Sequence, residues 1–257
     1  MSFLFDQVIF GPVRSRRLGL SLGVNLLPID AKICSFNCLY CECGFNTTMK
    51  EFPFPTREQV AEILETKLKQ MVADGDIPNV ITFAGNGEPT LHPQFEEIIN
   101  DTIKLRNRFC PSAKVSVLSN STRVHKPHIF AALGKVDNNI LKFDSAIDRT
   151  MKLIDQPVGK HINVEWLIEQ LRRFEGRLII QTMFIRGEYN NEAFDNTTDV
   201  EVEAWLNAME QIKPQQIMIY SLDREAPVKN LQKVNVDELN LIADKARARG
   251  FEVSVAG

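Results

Sequence analysis

Apolar residues along this chain fall into two patterns that alternate from one end to the other. Short runs rich in β-branched and aliphatic residues predict buried strands at 20–27 (LSLGVNLL), 79–85 (NVITFAG), 114–119 (KVSVLS), 139–144 (NILKFD), 177–185 (RLIIQTMFI) and 216–222 (QIMIYSL). The segments between them read as helices. Val60, Ile63, Leu64, Leu68 and Met71 recur at the spacing of one helix face, opened by Thr56 with Gln59 three residues on as a capping box. Thr198 with Glu201, and Asn235 with Glu238, repeat that start signal. Strands that alternate with helices pair in parallel, and right-handed crossovers wind them into a barrel or an open doubly wound sheet. The fold class is therefore α/β. A closed eight-unit barrel takes about 250 residues, whereas six units are visible here, with a terminal GFEVSVAG as a possible extra strand. The expectation is a partial, laterally open (β/α)6 TIM-like barrel of parallel strands.

No repeat, low-complexity tract or Pro/Ser-rich linker interrupts the 257 residues, so a single domain is expected. It divides into an N-terminal extension at 1–19, a barrel core at 20–225 with a long loop at 28–55, and a C-terminal helix with the possible strand at 226–257. The amino terminus places its basic residues after a short apolar run, the reverse of a secretory signal, and no run reaches membrane-spanning length. A cytoplasmic protein without a membrane partner is expected. A net charge of -3 gives no global drive toward nucleic acid.

Four of the five cysteines crowd into CSFNCLYCECG, residues 34 to 44. A reducing compartment disfavours disulfides, and pairs this close would close only small strained loops. Metal ligation is the leading use. Structural zinc usually pairs C-x2-C motifs across a longer loop. Cys34, Cys38 and Cys41 instead form C-x3-C-x2-C, a compact wrap whose thiolates can reach three corners of a cubic iron–sulfur cluster and leave one iron open. In a parallel α/β architecture the strand-to-helix loops collect functional groups at one end. GNGEPTLHP, SNST, DSAID, RGEYNN and SLDRE, following successive strands, would share that pocket with the cysteines.

These residues resemble the radical S-adenosylmethionine superfamily, whose signature is this C-x3-C-x2-C with an aromatic residue, here Tyr40, before the last cysteine. The resemblance implies a 4Fe-4S cluster on Cys34, Cys38 and Cys41, with S-adenosylmethionine chelating the open iron. An external one-electron donor, flavodoxin- or ferredoxin-like, would drive cleavage to a 5′-deoxyadenosyl radical that abstracts hydrogen from a substrate. It also implies a Gly-Gly-Glu-Pro-like segment against the cofactor's amino group. Gly87, Glu88 and Pro89 match it, Asn86 stands where the first glycine usually is, and Gly85 supplies the missing flexibility. Ser119, Asn120 and Asp144 are implied contacts to ribose or substrate, with Tyr40 near the adenine. Ile185 and Gly187 partly match the adenine-contacting motif, whose terminal acidic residue would fall at Asn190. The stretches at 11–28 and 220–227 are similar, at a distance, to the wyosine-synthase branch.

Plainer readings stand beside these. The cysteines could serve a non-catalytic metal-binding scaffold, and Glu88 could be a helix-cap carboxylate ahead of Pro89. His92, His125, His128 and His161 lack ligand spacing and read as surface or capping residues; Cys110 reads as a packed thiol. Cys43 is expected to pack beside the cluster without joining it. Asp223 and Arg224, just past the sixth strand, are candidate substrate contacts, with an ion pair buttressing a loop as the alternative. Arg16 and Arg17, with Arg14, read either as a solvated face or as a seat for an anionic substrate or electron donor. The substrate itself stays open among peptide, RNA and small metabolite.

Overall fold

The structure is a computed structural model that describes residues 3–15, 19–48, 53–224 and 226–256. Arg16 and Arg17 lie outside the described residues. All six expected strands form, as β2 (Gly19–Val24), β3 (Val80–Phe83), β4 (Lys114–Ser119), β5 (Asn138–Lys142), β6 (Ile179–Met183) and β9 (Gln216–Tyr220). Each pairs in parallel with the next in that order, and β11 (Val253–Ala256) adds the seventh parallel strand beside β9. The helices α1 (Arg57–Asp74), α2 (Phe95–Phe109), α3 (Pro127–Leu133), α4 (Asp148–Asp155), α5 (Val164–Arg172), α6 (Asp199–Ile212) and α7 (Val236–Ala248) occupy the connections. The sheet ends on β11 at one side without closing, which is the open barrel expected from six to seven units.

Two features depart from the sequence reading. The segment read as an N-terminal extension contains β1 (Ile9–Ser15), which pairs antiparallel with β2 and makes the sheet eight-stranded. Its register shifts between Phe10 and Val13, and this irregularity hides the strand's alternation in sequence. The run 177–185 also splits: β6 stops at Met183, and Ile185 opens β7 (Ile185–Tyr189), which forms a separate three-stranded sheet with β8 (Glu192–Asp195) and β10 (Leu231–Lys233). Asn190 and Asn191, at φ of 52° and 63°, make the two-residue turn between β7 and β8; a tight hairpin of this kind needs left-handed residues, and asparagine tolerates them.

One face of the sheet packs on the helices. Leu22, Ile81, Val115, Leu141, Ile180 and Ile217 from successive strands are buried there. Val60, Leu64, Leu68 and Met71 face this core from α1, whereas Ile63 is 42% exposed and lies off the stripe. The Thr56–Gln59 capping box forms with both its hydrogen bonds, and Thr198 and Asn235 cap α6 and α7. The concave face is different: Ser21, Thr82, Gln181 and Met218 point into the barrel, where Phe5 and Phe10 lie over them. Phe10 needs the missing side chain of Gly23, since a Cβ there would sit 2.1 Å from the ring.

Candidate active site

The cysteine loop leaves β2 and is pinned at once to the loop after β3. Ile33 donates its N–H to the Asn86 carbonyl (2.9 Å) and accepts from the Glu88 N–H (3.1 Å), an isolated parallel bridge centred on Gly87. Gly87 adopts φ +142°, and a Cβ there would lie 1.8 Å from the Ile33 carbonyl oxygen. Only glycine permits this approach. Cys34 and Glu88 are thereby held on neighbouring strands of backbone.

The loop then turns tightly, with Cys41 N–H bonding to the Cys38 carbonyl and Gly44 N–H to the Cys41 carbonyl. Lys32, 2% exposed, donates its ammonium to the Gly44 carbonyl at 2.7 Å and places a positive charge among the sulfurs. Burial pushes the Cys34 thiol up to about 12, with the Glu88 carboxylate adding to the effect, and burial also drives Cys38 well above its ordinary value. Cys41 moves the other way, to about 6, because Cys43 hydrogen-bonds to it and Lys32 lies near. Cys43 is pushed up by the same bond and by burial, and its thiol reaches the Gly85 carbonyl at 3.4 Å. All five cysteines are free; Cys110, 1% exposed, is a packed thiol.

Glu88 is 2% exposed and heavily solvated by protein. Its carboxylate accepts from the Thr90 N–H and hydroxyl, the Ser119 hydroxyl (2.8 Å) and the Asn120 N–H (2.7 Å). Burial nonetheless raises its pKa, against the pull of these bonds. The side chain caps the short 3-10 turn Pro89–Leu91, so the plain helix-cap reading and the site reading describe the same carboxylate. Asn120 extends the chain of contacts: its amide donates to Cys34 Sγ (3.4 Å) and to the Ser35 hydroxyl (2.9 Å). Glu88, Ser119, Asn120 and Cys34 thus form one connected group.

Asn86 has another role. Its side chain accepts from the Phe5 N–H (2.8 Å) and donates to the carbonyls of Phe5 and Pro28 (2.9 Å each), so its polar atoms are taken by the chain itself. Gly85, at φ +144°, lies where a Cβ would meet Asn25 Oδ1 at 2.5 Å. That oxygen holds the Asn86 and Leu27 N–H groups.

Tyr40 opens a second group, in which the sequence marks Tyr40 and Asp144 but not Lys142 or Asp155. Its hydroxyl meets Asp144 and the Lys142 ammonium, which also pairs with Asp144 and, at 2.7 Å, with Asp155. Lys142 sits 4.5 Å over the Tyr40 ring. Burial lifts Asp155 to about 7, moderated by Lys142, while the two carboxylates hold the Lys142 ammonium well above its usual range despite burial. The one sequence signal was a lysine inside the otherwise apolar run NILKFD, two residues before Asp144.

The remaining candidates separate. Ile185 is buried with Leu39 and Met183, and Tyr40 packs on that cluster. Gly187 instead lines a depression on the small sheet, where a Cβ would meet the Asn230 carbonyl at 2.6 Å. Arg224 forms an ion pair with Glu42 of the cysteine loop at 2.8 Å, and with Asp223 it lines a cavity of about 520 Å³ beside Tyr40. His92 is a capping residue but not a surface one: at 4% exposure it bonds the Pro55 carbonyl and accepts from the Gln94 N–H. Among the described residues no three or more His, Cys, Asp or Glu side chains converge to hold a single ion.

Comparison with known proteins decides the family. Residues 29–200 match the radical SAM superfamily. The chain belongs to it. Within this superfamily the chain is 33% identical to a UPF0026 protein of Helicobacter pylori (strain ATCC 700392 / 26695) over 239 residues, covering 90% of this chain and 71% of that one. In fold it is similar to a radical SAM methyltransferase from Sphaerobacter thermophilus, with a TM-score of 0.68 at 14% identity over 92% of this chain and 65% of that chain. It is also similar to TYW1 with a lysine-pyruvate adduct bound, with a TM-score of 0.63 at 18% identity over 89% of this chain and 73% of that chain. No described helix is long and apolar enough to cross a membrane.

Proposed function

We propose that this radical SAM protein is an enzyme that holds a 4Fe-4S cluster on Cys34, Cys38 and Cys41 and binds S-adenosylmethionine against Glu88, Ser119 and Asn120. The observation that carries the reading is the Ile33–Gly87 bridge, which sets the first cysteine beside a buried carboxylate through Asn120. The donor set fits such a cluster. Three free thiols share one tight loop, two N–H groups point at Cys34 Sγ, and the buried Lys32 ammonium offsets thiolate charge. Ligands of a cluster bind separate irons, so they need not meet at one point as zinc ligands must. This favours the iron–sulfur reading over a zinc scaffold.

A cluster held by Cys34, Cys38 and Cys41 would supply low-potential one-electron reduction of S-adenosylmethionine, with the electron drawn from an external flavodoxin- or ferredoxin-like donor. The chain supplies binding and orientation. Glu88, already oriented by Ser119 and the Asn120 N–H, accepts a charge-assisted hydrogen bond from the cofactor's amino group. Tyr40, fixed by Asp144 and Lys142, offers its ring to the adenine. Cys43 stays off the cluster, its thiol turned to Cys41 and Gly85.

Alanine at Cys34, Cys38 or Cys41 should abolish the brown absorbance and iron content after anaerobic reconstitution, while Cys43→Ser keeps both. A stable four-iron cluster in any of the three alanine variants would contradict the ligand set.

A further inference from the structure

The cavity of about 520 Å³ at the barrel mouth shares Tyr40 with the cofactor group but none of Glu88, Ser119 or Asn120. Its other side is built by the N-terminal segment. Phe3 and Phe5 meet edge to face at 5.0 Å, and Phe5 stacks on Phe10 at 3.8 Å between ring centres. Tyr40 and Tyr220 also line the cavity.

This aromatic wall is fastened, not draped. Asn86 grips both the N–H and the carbonyl of Phe5, the Phe3 N–H bonds to the Glu42 carbonyl, and Phe10 fills the space above Gly23. The motif position usually held by glycine is therefore spent on securing the wall. Behind it, a smaller pocket of about 150 Å³ lies among Ser21, Thr82, Gln181 and Met218. A ligand at the mouth would lie against aromatic faces that favour stacked or edge-on contact with a planar ring.

Charge at the rim sets the ligand's polar end. Glu42 and Arg224 pair with each other, and Asp223 is not without a partner. Arg14 lines the cavity, and among the described residues no ion pair engages it. A guanidinium in that position suits a carboxylate or phosphate.

We infer that this cavity is the substrate site and that it takes a small molecule carrying a flat, apolar ring and an anionic group, with the ring against Phe3 and Phe5 and the anion on Arg14. The inference rests on the radical-enzyme reading, since it places the substrate next to Tyr40 and the cysteine loop.

Equilibrium dialysis of the reconstituted protein with S-adenosylmethionine tests it, using indole-3-carboxylate as probe and 3-(aminomethyl)indole as its cationic counterpart. The carboxylate should bind saturably and the amine about tenfold or more weaker, a difference fitting one charge-assisted contact. Arg14→Glu should remove most of that preference, and Phe3→Ala should weaken both probes; both residues are exposed, so neither change threatens folding. Equal binding of the two probes, indifference to Arg14→Glu, or no saturable binding would overturn the inference. Iron content and S-adenosylmethionine cleavage measured on the same sample separate the two readings. A loaded, cleaving protein that ignores the probe contradicts the substrate site alone, whereas probe binding without cleavage contradicts the enzyme reading and not the pocket.

Discussion

Glu88 concentrates the chemistry of the site in one side chain. It is buried, its pKa is raised by that burial, and it is held by Thr90, Ser119 and Asn120. These bonds offset part of the desolvation cost of the carboxylate, and a cation joining it would offset more. Glu88→Gln removes the charge at nearly constant shape. Iron content should be unchanged, while affinity for S-adenosylmethionine by anaerobic calorimetry should fall roughly tenfold or more, matching the ~1.5–3 kcal/mol of a hydrogen bond to a charged group. Unchanged affinity would remove Glu88 from the site. The cysteines, Glu88 and Tyr40 were legible in sequence because each belongs to a short local pattern. Lys142 and Asp155 carry no such motif: Lys142 pairs with nearby Asp144 and Asp155, but it reaches Tyr40 across 102 positions. Asn86 was visible only as a departure from the motif, and its reason, the grip on Phe5, spans 81 positions.

At the level of elements, the strand-to-helix loops converge because the strands are parallel, but one local contact fixes two of those loops together. Gly87→Ala would drive a Cβ to 1.8 Å from the Ile33 carbonyl, so the bridge must open. We expect a loss of about 1–3 kcal/mol, as for other overpacked sites, and poor cluster incorporation. Gly75→Ala is the control: it also has positive φ, at +77°, but a Cβ there meets nothing within 4 Å, so its cluster should load normally. Equal loading of the two variants, seen by iron content and urea midpoint, would mean that the bridge does not position the cysteines. The buried parallel strands are readable because both faces are covered and their sequences are rich in β-branched and aliphatic residues. β1 is hidden in sequence because its irregular register breaks the alternation. The β7–β8 hairpin is signalled by Asn190–Asn191, a two-residue turn between short alternating runs, in the stretch RGEYNN where a strand-to-helix loop is expected.

The whole molecule is a sheet curled far enough to gather its loops and left open at β11, with the N-terminal aromatics occupying the concave side. At the mouth the cysteine loop, through Tyr40 and Glu42, lines the 520 Å³ cavity. Openness of the barrel could be inferred from counting strand–helix units. Its filling by Phe5 and Phe10 could not, because nothing local in the sequence says which face an N-terminal segment will cover. The central claim is that this assembly breaks S-adenosylmethionine reductively. Reconstituted protein, reduced anaerobically with dithionite and supplied with S-adenosylmethionine, should yield 5′-deoxyadenosine and methionine by chromatography, and the Cys34→Ala protein should yield neither. A fully loaded cluster that is reduced, yet gives no 5′-deoxyadenosine, would contradict the account.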